Sequence, residues 1–366
     1  GTIVANGNGS FTLTHVNGTY YSYVRVRANN ATGWSKWDTV SSEGLIVDTM
    51  DDVVDPNDGV TSLREAIATY QTLSAKNALV PGLAVTFNQH VFKDPQSKIS
   101  LKDDTPVINV TENVRIDASK LGYRLQIQAT NSDHNVFRVA GDSASIELVS
   151  LNLVGASVAE EGGIVSAQDG ATIKVVNCAF TNSSTSQHGG AIALLNGSTL
   201  TVEDSLFQGN SAQLGGGAIY AVDASTVTVS NSTFTNNAAG SEGNGGAIWV
   251  DASSTLNAEY SSFASNTSQG NGGAIAITGN SSATVLVPTF SRNTASKKGG
   301  SFWVDASNLD LEFDDSSVSA SSSTALLPSE TTNQVDSNAA SSILDFEAVL
   351  LDDAFVELEE EIETFF

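Results

Sequence analysis

The 366-residue chain has a single cysteine, Cys178, so no intrachain disulfide can form. The thiol lies in an alternating run just before Phe180, the position of a packed interior residue rather than a reactive one. Cations are scarce: 16 Lys and Arg stand against 41 Asp and Glu, a formal net charge of −25. That balance argues against nucleic acid and anionic membrane surfaces as partners, because little is present to neutralise phosphate. No run of 18 apolar residues exists, so no transmembrane helix is expected. No secretion leader is visible at the start, and the chain opens on Gly1 without a methionine, as a fragment or processed product would. Of six prolines, none falls between Pro106 and Pro288. Proline is excluded from strands paired on both sides, so that gap suits stacked strands.

What the chain has instead is a glycine pair that returns at Gly162-Gly163, Gly189-Gly190, Gly216-Gly217, Gly245-Gly246, Gly272-Gly273 and Gly299-Gly300. The spacings are 27, 27, 29, 27 and 27 residues. A fixed period of this size marks a stacked repeat protein, in which neighbours bury one continuous core. After each pair comes a short apolar stretch, such as Ala191-Ile192-Ala193-Leu194 or Ala247-Ile248-Trp249-Val250. A polar turn follows, then an alternating run such as Thr226-Val227-Thr228-Val229, and a phenylalanine closes the unit: Phe180, Phe207, Phe234, Phe263 and Phe290. Period-two alternation with β-branched residues reads as strand. Each repeat therefore holds at least two short strands and no long helix. The expected fold is all-β, a single-chain parallel β-helix in which the column Ile192, Ile219, Ile248, Ile275, Phe302 points inward and the phenylalanines stack. At about 4.8 Å per rung the six glycine-marked coils would span about 25–30 Å.

Gly-Gly-Ala-Ile combined with Phe-x-x-Asn resembles the repeat of the chlamydial polymorphic membrane proteins. Phe207 with Asn210, Phe234 with Asn237, Phe263 with Asn266 and Phe290 with Asn293 carry the match, over roughly residues 160–305. The first unit departs, with Ser183 in place of the asparagine, and so does the last, Gly299-Gly300-Ser301-Phe302. The resemblance implies the passenger of an adhesive surface protein and a right-handed, pectin-lyase-like solenoid. No barrel of ten-residue strands follows the repeats, so that family's anchored topology is not carried over. Upstream, Asp58-Gly59-Val60-Thr61-Ser62-Leu63-Arg64-Glu65-Ala66-Ile67 resembles the CSLREA domain, with Thr61 in place of its cysteine. In that family the segment opens a right-handed β-helix in extracellular proteins. The residues themselves agree: an open solenoid end needs a cap. Ser62 or Thr61 can cap a short helix, with Glu65 three residues beyond Ser62 as in a capping box. Leu63, Ala66 and Ile67 would give that helix its apolar face.

These features divide the chain. Residues 1–42 resemble the last strands of a fibronectin type III domain, with Tyr21 to Ala28 alternating strictly before Trp34-Ser35-Lys36-Trp37; about three of seven strands would be present. Residues 43–106 form the cap and first coil, and 107–318 the solenoid. Residues 319–342, rich in Ser, Thr, Ala and Asn, read as a linker. Residues 343–366 form an acidic amphipathic tail, which either packs as a helix on the open end of the solenoid or resembles a type I secretion signal in its acids and terminal Phe365-Phe366.

Parallel β-helices include many polysaccharide lyases and hydrolases, so paired carboxylates on adjacent coils are candidates for an active site. Asp223 and Asp251 occur at nearly equivalent turns of adjacent coils and offer an acid/base pair, against a plain role as turn residues. Neither Asn-Thr-Asp nor Gly-His-Gly occurs; His188-Gly189 is a near miss. Lys and Arg are few in the glycine-marked coils, where a lyase would need a base. Asp51, Asp52, Asp55 and Asp58 form the densest acid cluster and suit Ca²⁺ as the one cofactor in view, against a solvated acidic loop. Binding has a better-placed candidate. The third residue after each glycine pair should point outward, a column reading Ser166, Ala193, Tyr220, Trp249, Ala276, Trp303. Tyr220, Trp249 and Trp303 would then present an exposed platform for sugar rings or a partner protein, unless a loop or the tail covers it. The asparagine column Asn210, Asn237, Asn266, Asn293 is expected to be structural, with amides bonded coil to coil. The sequence thus describes a secreted or cell-surface module for adhesion or scaffolding, whose partner is an extracellular polysaccharide or a cell-surface protein. A polysaccharide-cleaving enzyme and a passive spacer are the alternatives.

Overall fold

A computed structural model describes residues 45–305 except 56, 77–81, 103–106, 130–133, 156 and 242, and the backbone of strands at either end, between Thr2 and Val47 and at Asn308–Glu312. The linker and the tail, 319–366, lie outside the described residues. Each repeat contributes four short strands, which fall into four parallel stacks. The glycine sheet holds the strand after each glycine pair: Val165–Gln168, Ile192–Leu194, Ile219–Ala221, Ile248–Val250, Ile275–Ile277 and Phe302–Val304, preceded by Ile108–Val110 and Phe137–Ala140. The long sheet takes the alternating runs, such as Thr199–Glu203 and Thr226–Ser230. The phenylalanine strands and a set of two-residue strands complete each coil.

Register is kept throughout. Ile192 pairs with Ile219, Ile219 with Ile248, and Ile275 with Phe302, all buried. The phenylalanines stack face to face inside, with centroids 4.8 Å apart for Phe180–Phe207 and Phe207–Phe234, widening to 5.3 Å for Phe263–Phe290. The asparagine column is the ladder expected of it. Asn237 Nδ2 donates to Asn266 Oδ1 at 2.9 Å and to the Phe207 carbonyl at 3.0 Å, while its Oδ1 accepts from the backbone and side-chain nitrogens of Asn210. Cys178 is buried and followed in the next coils by serines, its N–H donating to Ser205 Oγ as that of Ser205 donates to Ser232 Oγ.

The cap also forms. The helix Leu63–Ala75 starts at Ser62 with a complete capping box to Glu65, and it buries Leu63, Ala66, Ile67 and Tyr70. Arg64 Nε bonds Asp52 Oδ1 at 2.6 Å, and Gln71 Nε2 reaches the Asn109 carbonyl, so both polar side chains fasten the helix to the first coils. Among residues 1–42, Val24–Val26 pairs antiparallel with Asp38–Ser41, which pairs with Gly44–Val47, so these strands extend the edge of the long sheet. Among the described residues, no helix is long and apolar enough to cross a membrane.

The 29-residue spacing has a local cause. The turn from Asn237 to Gly245 is two residues longer than the one from Asn210 to Gly216, and the extra length falls at Gly240 to Gly243. This longer turn lies beside the backbone of Leu214 and just ahead of the strand that carries Trp249.

Candidate functional site

The outer column of the glycine sheet runs in register as the alternation requires: Arg138, Ser166, Ala193, Tyr220, Trp249, Ala276, Trp303. Its exposure differs from the sequence expectation. Tyr220 is only 7% exposed and Trp303 9%, while Trp249 is half-buried. The cause is the glycine pair itself. The first glycine of each pair has φ between +61° and +73°, a left-handed conformation that glycine adopts without strain. There the chain folds back over the strand that follows: a Cβ on Gly216 would sit 3.0 Å from Tyr220 Cβ, and one on Gly299 2.9 Å from Trp303 Cβ. The residue just before the pair then lies over the outer column. In successive coils that residue is Glu161, His188, Gly215, Asn244, Asn271 and Lys298.

This second column assembles the site. The His188 ring stacks on Tyr220 with centroids 4.4 Å apart and planes 20° from parallel. Trp249 tilts against both, 5.1 Å from Tyr220 and 5.5 Å from His188. Gly215 makes room for the indole, since a Cβ there would clash with the Trp249 ring. Below, Glu161 holds His188 twice, Oε1 lying 3.0 Å from Nδ1 and Oε2 accepting the backbone N–H at 3.0 Å. A carboxylate on Nδ1 assigns the proton to that nitrogen, so Nε2 of the neutral ring carries the lone pair. Above, Trp249 Nε1 donates to Thr278 Oγ1 at 2.8 Å, and Thr278 donates to Asp251 Oδ1 at 2.6 Å. Two polar atoms of the three rings have no partner among the described residues: His188 Nε2 and the Tyr220 hydroxyl, which still reaches solvent. Burial, then the negative charge of Asp251, Glu161 and Asp223, raises the ionisation of the Tyr220 phenol well above its ordinary range. It stays protonated and can donate.

Two further expectations are corrected. Asp223 and Asp251 do not share a column. Asp251 N donates to the Ala221 carbonyl, the place Val222 takes one coil earlier with Leu194, so Asp223 is offset by one position. Asp223 sits exposed in the turn at φ +57°, while Asp251 is half-buried and bonded to Thr278. Nor do Asp51, Asp52, Asp55 and Asp58 converge on a calcium ion. Asp52 is buried and accepts from Arg64 and the Lys102 N–H, whereas Asp55 and Asp58 each accept the backbone N–H two residues on. Asp51 is exposed, with its own N–H on Thr49 Oγ1. Asp52, Asp55 and Asp58 are each turned to separate donors, and among the described residues no group of three His, Cys, Asp or Glu side chains is arranged to hold a metal.

At the two ends of the face stand cations. Arg138 is ion-paired with Glu160, and Lys298 Nζ lies 5.2 Å from the Trp303 ring. Sequence reasoning missed Glu161, His188 and Arg138 as parts of this face. The signal for the first two was the column one residue before the glycine pair, which had been passed over for the glycines themselves.

A family model described as the right-handed β-helix region matches residues 127–340, more than half of the chain. The handedness expected from resemblance is that of this family. No curated protein and no solved structure matches the chain.

Proposed function

The chain belongs to the right-handed β-helix family, and from that premise we propose that it is an extracellular binding module that holds a polysaccharide along the outer face of its glycine sheet. The observation that carries this reading is the His188–Tyr220–Trp249 group: three rings on one face of a rigid stack, with one ring nitrogen and one hydroxyl unpartnered among the described residues. Aromatic faces bind the C–H faces of sugar rings, and polar atoms beside them set orientation. A solenoid presents such a face at a fixed rise per coil, which suits a polymer. The Phe-x-x-Asn repeats and the CSLREA-like cap support an adhesive or scaffolding role at a cell surface by resemblance.

A second reading, cleavage of the polysaccharide, is favoured by one observation. Asp251, Glu161 and Asp223 all bear electrostatically on Tyr220, so several carboxylates lie around one potential sugar site. The test is to incubate the full chain with plant, algal and bacterial polysaccharides, with and without calcium, and to follow binding, new reducing ends and unsaturated products. Binding without product supports the module reading. Product that disappears in Asp251→Asn or Asp223→Asn makes the protein an enzyme. Neither binding nor product leaves a passive spacer.

A further inference from the structure

We infer that the glycan seated on this face carries no acid groups and presents hydroxyl groups that donate to the protein. The inference rests on the polysaccharide-binding reading and names its ligand class.

The groups around the three rings call for donors. In the neutral ring His188 Nε2 is a lone-pair acceptor, because Glu161 holds the other nitrogen as the protonated one. Asp251 uses Oδ1 for Thr278, and its Oδ2 has no partner among the described residues. Asp223 is exposed, and its charge bears on Tyr220. Only Tyr220 offers a proton, from a hydroxyl whose side chain is more than nine-tenths buried and yet makes no hydrogen bond among the described residues. A buried polar side chain without a protein partner is costly unless something else satisfies it, and here solvent or a ligand must. Sugar hydroxyls supply both the donors and the single acceptor this set lacks.

Charge narrows the class. A uronate or sulfate placed over Tyr220 would meet the negative charge of Asp251, Glu161 and Asp223, which already bears on that ring. Of the cations named at this face, Arg138 is ion-paired with Glu160, and Lys298 lies by Trp303, two coils beyond Trp249. A neutral chain avoids that penalty and keeps the stacking on Trp249 and Tyr220.

The test is calorimetric titration of the full chain with hexasaccharides of neutral sugars (β-linked glucose, xylose or mannose) and of acidic ones (galacturonate, alginate), followed by Trp249→Ala, Trp249→Phe and Asp251→Asn. The expected result is binding of a neutral hexasaccharide, weakened about tenfold or more by Trp249→Ala and several-fold by Asp251→Asn, and largely kept by Trp249→Phe. An acidic hexasaccharide that binds more tightly, and loses that binding in Trp249→Ala, would overturn the neutral-glycan inference while leaving the binding face in place. Neutral binding that none of the variants changes would move the site elsewhere. No binding of either class would overturn this inference and the polysaccharide reading together.

Discussion

His188 and Tyr220 come from successive coils, yet their rings lie 4.4 Å apart and within 20° of parallel. Neither residue could reach the other without the left-handed glycine turn between them, which lays the residue before each glycine pair over the outer face of the sheet. The aromatic group is thus a by-product of the repeat: the glycines that close each coil also build the cover of its face.

Gly215→Ala should disturb this group. The added methyl meets the Trp249 ring at a position where φ is +143°, so the side chain and the backbone are both strained. A loss of about 1–3 kcal/mol and a shift in tryptophan fluorescence are expected. Gly197→Ala, with φ +73° and open space around the new methyl, should cost stability but leave the fluorescence unchanged.

The asparagine ladder should be worth more than its size suggests. Asn237→Ala removes the acceptor of both Asn210 nitrogens in a buried setting, so unfolding in urea should show a loss of roughly 2–4 kcal/mol. A loss near zero would mean that water replaces the amide.

Position along the phenylalanine stack should set the cost of breaking it. Phe234 is fully buried with a ring on each side, and Phe234→Ala should cost about 3–5 kcal/mol. Phe290, half-buried at the end of the parallel stack, should cost clearly less in the same assay.

Burial pushes the Cys178 thiol from 9.0 up to about 11. Between those values the folded chain keeps a proton that the unfolded chain releases, so stability should fall as pH rises from about 9 to about 11, by up to about 3 kcal/mol. Cys178→Ser places there the residue that Ser205 and Ser232 supply in the next coils, and it should remove this part of the slope. Urea melts of both chains at pH 8 and 10.5 measure the difference. Tyr220, whose ionisation is also raised, contributes a loss common to both.

The interior was legible because it repeats. The isoleucine, phenylalanine and asparagine columns recur in phase, and the Ser62–Glu65 capping box is a local signal. The outer face was legible only as a column. Periodicity says that Tyr220 and Trp249 point away from the core, but their cover depends on a chain reversal that alternation does not encode. The Glu161–His188 pair joins residues 27 positions apart, in a column where side-chain chemistry changes from coil to coil. Asp223 and Asp251 misled for a related reason: their separation is one residue short of the local 29-residue period, and one residue in a turn changes the column.

The most direct test of the binding face is affinity electrophoresis of the full chain through gels that each contain one neutral polysaccharide, with Trp249→Ala beside it. Retardation by at least one polysaccharide, lost in Trp249→Ala, is the expected result. Equal retardation of the two chains, or free migration of both in every gel, would contradict it.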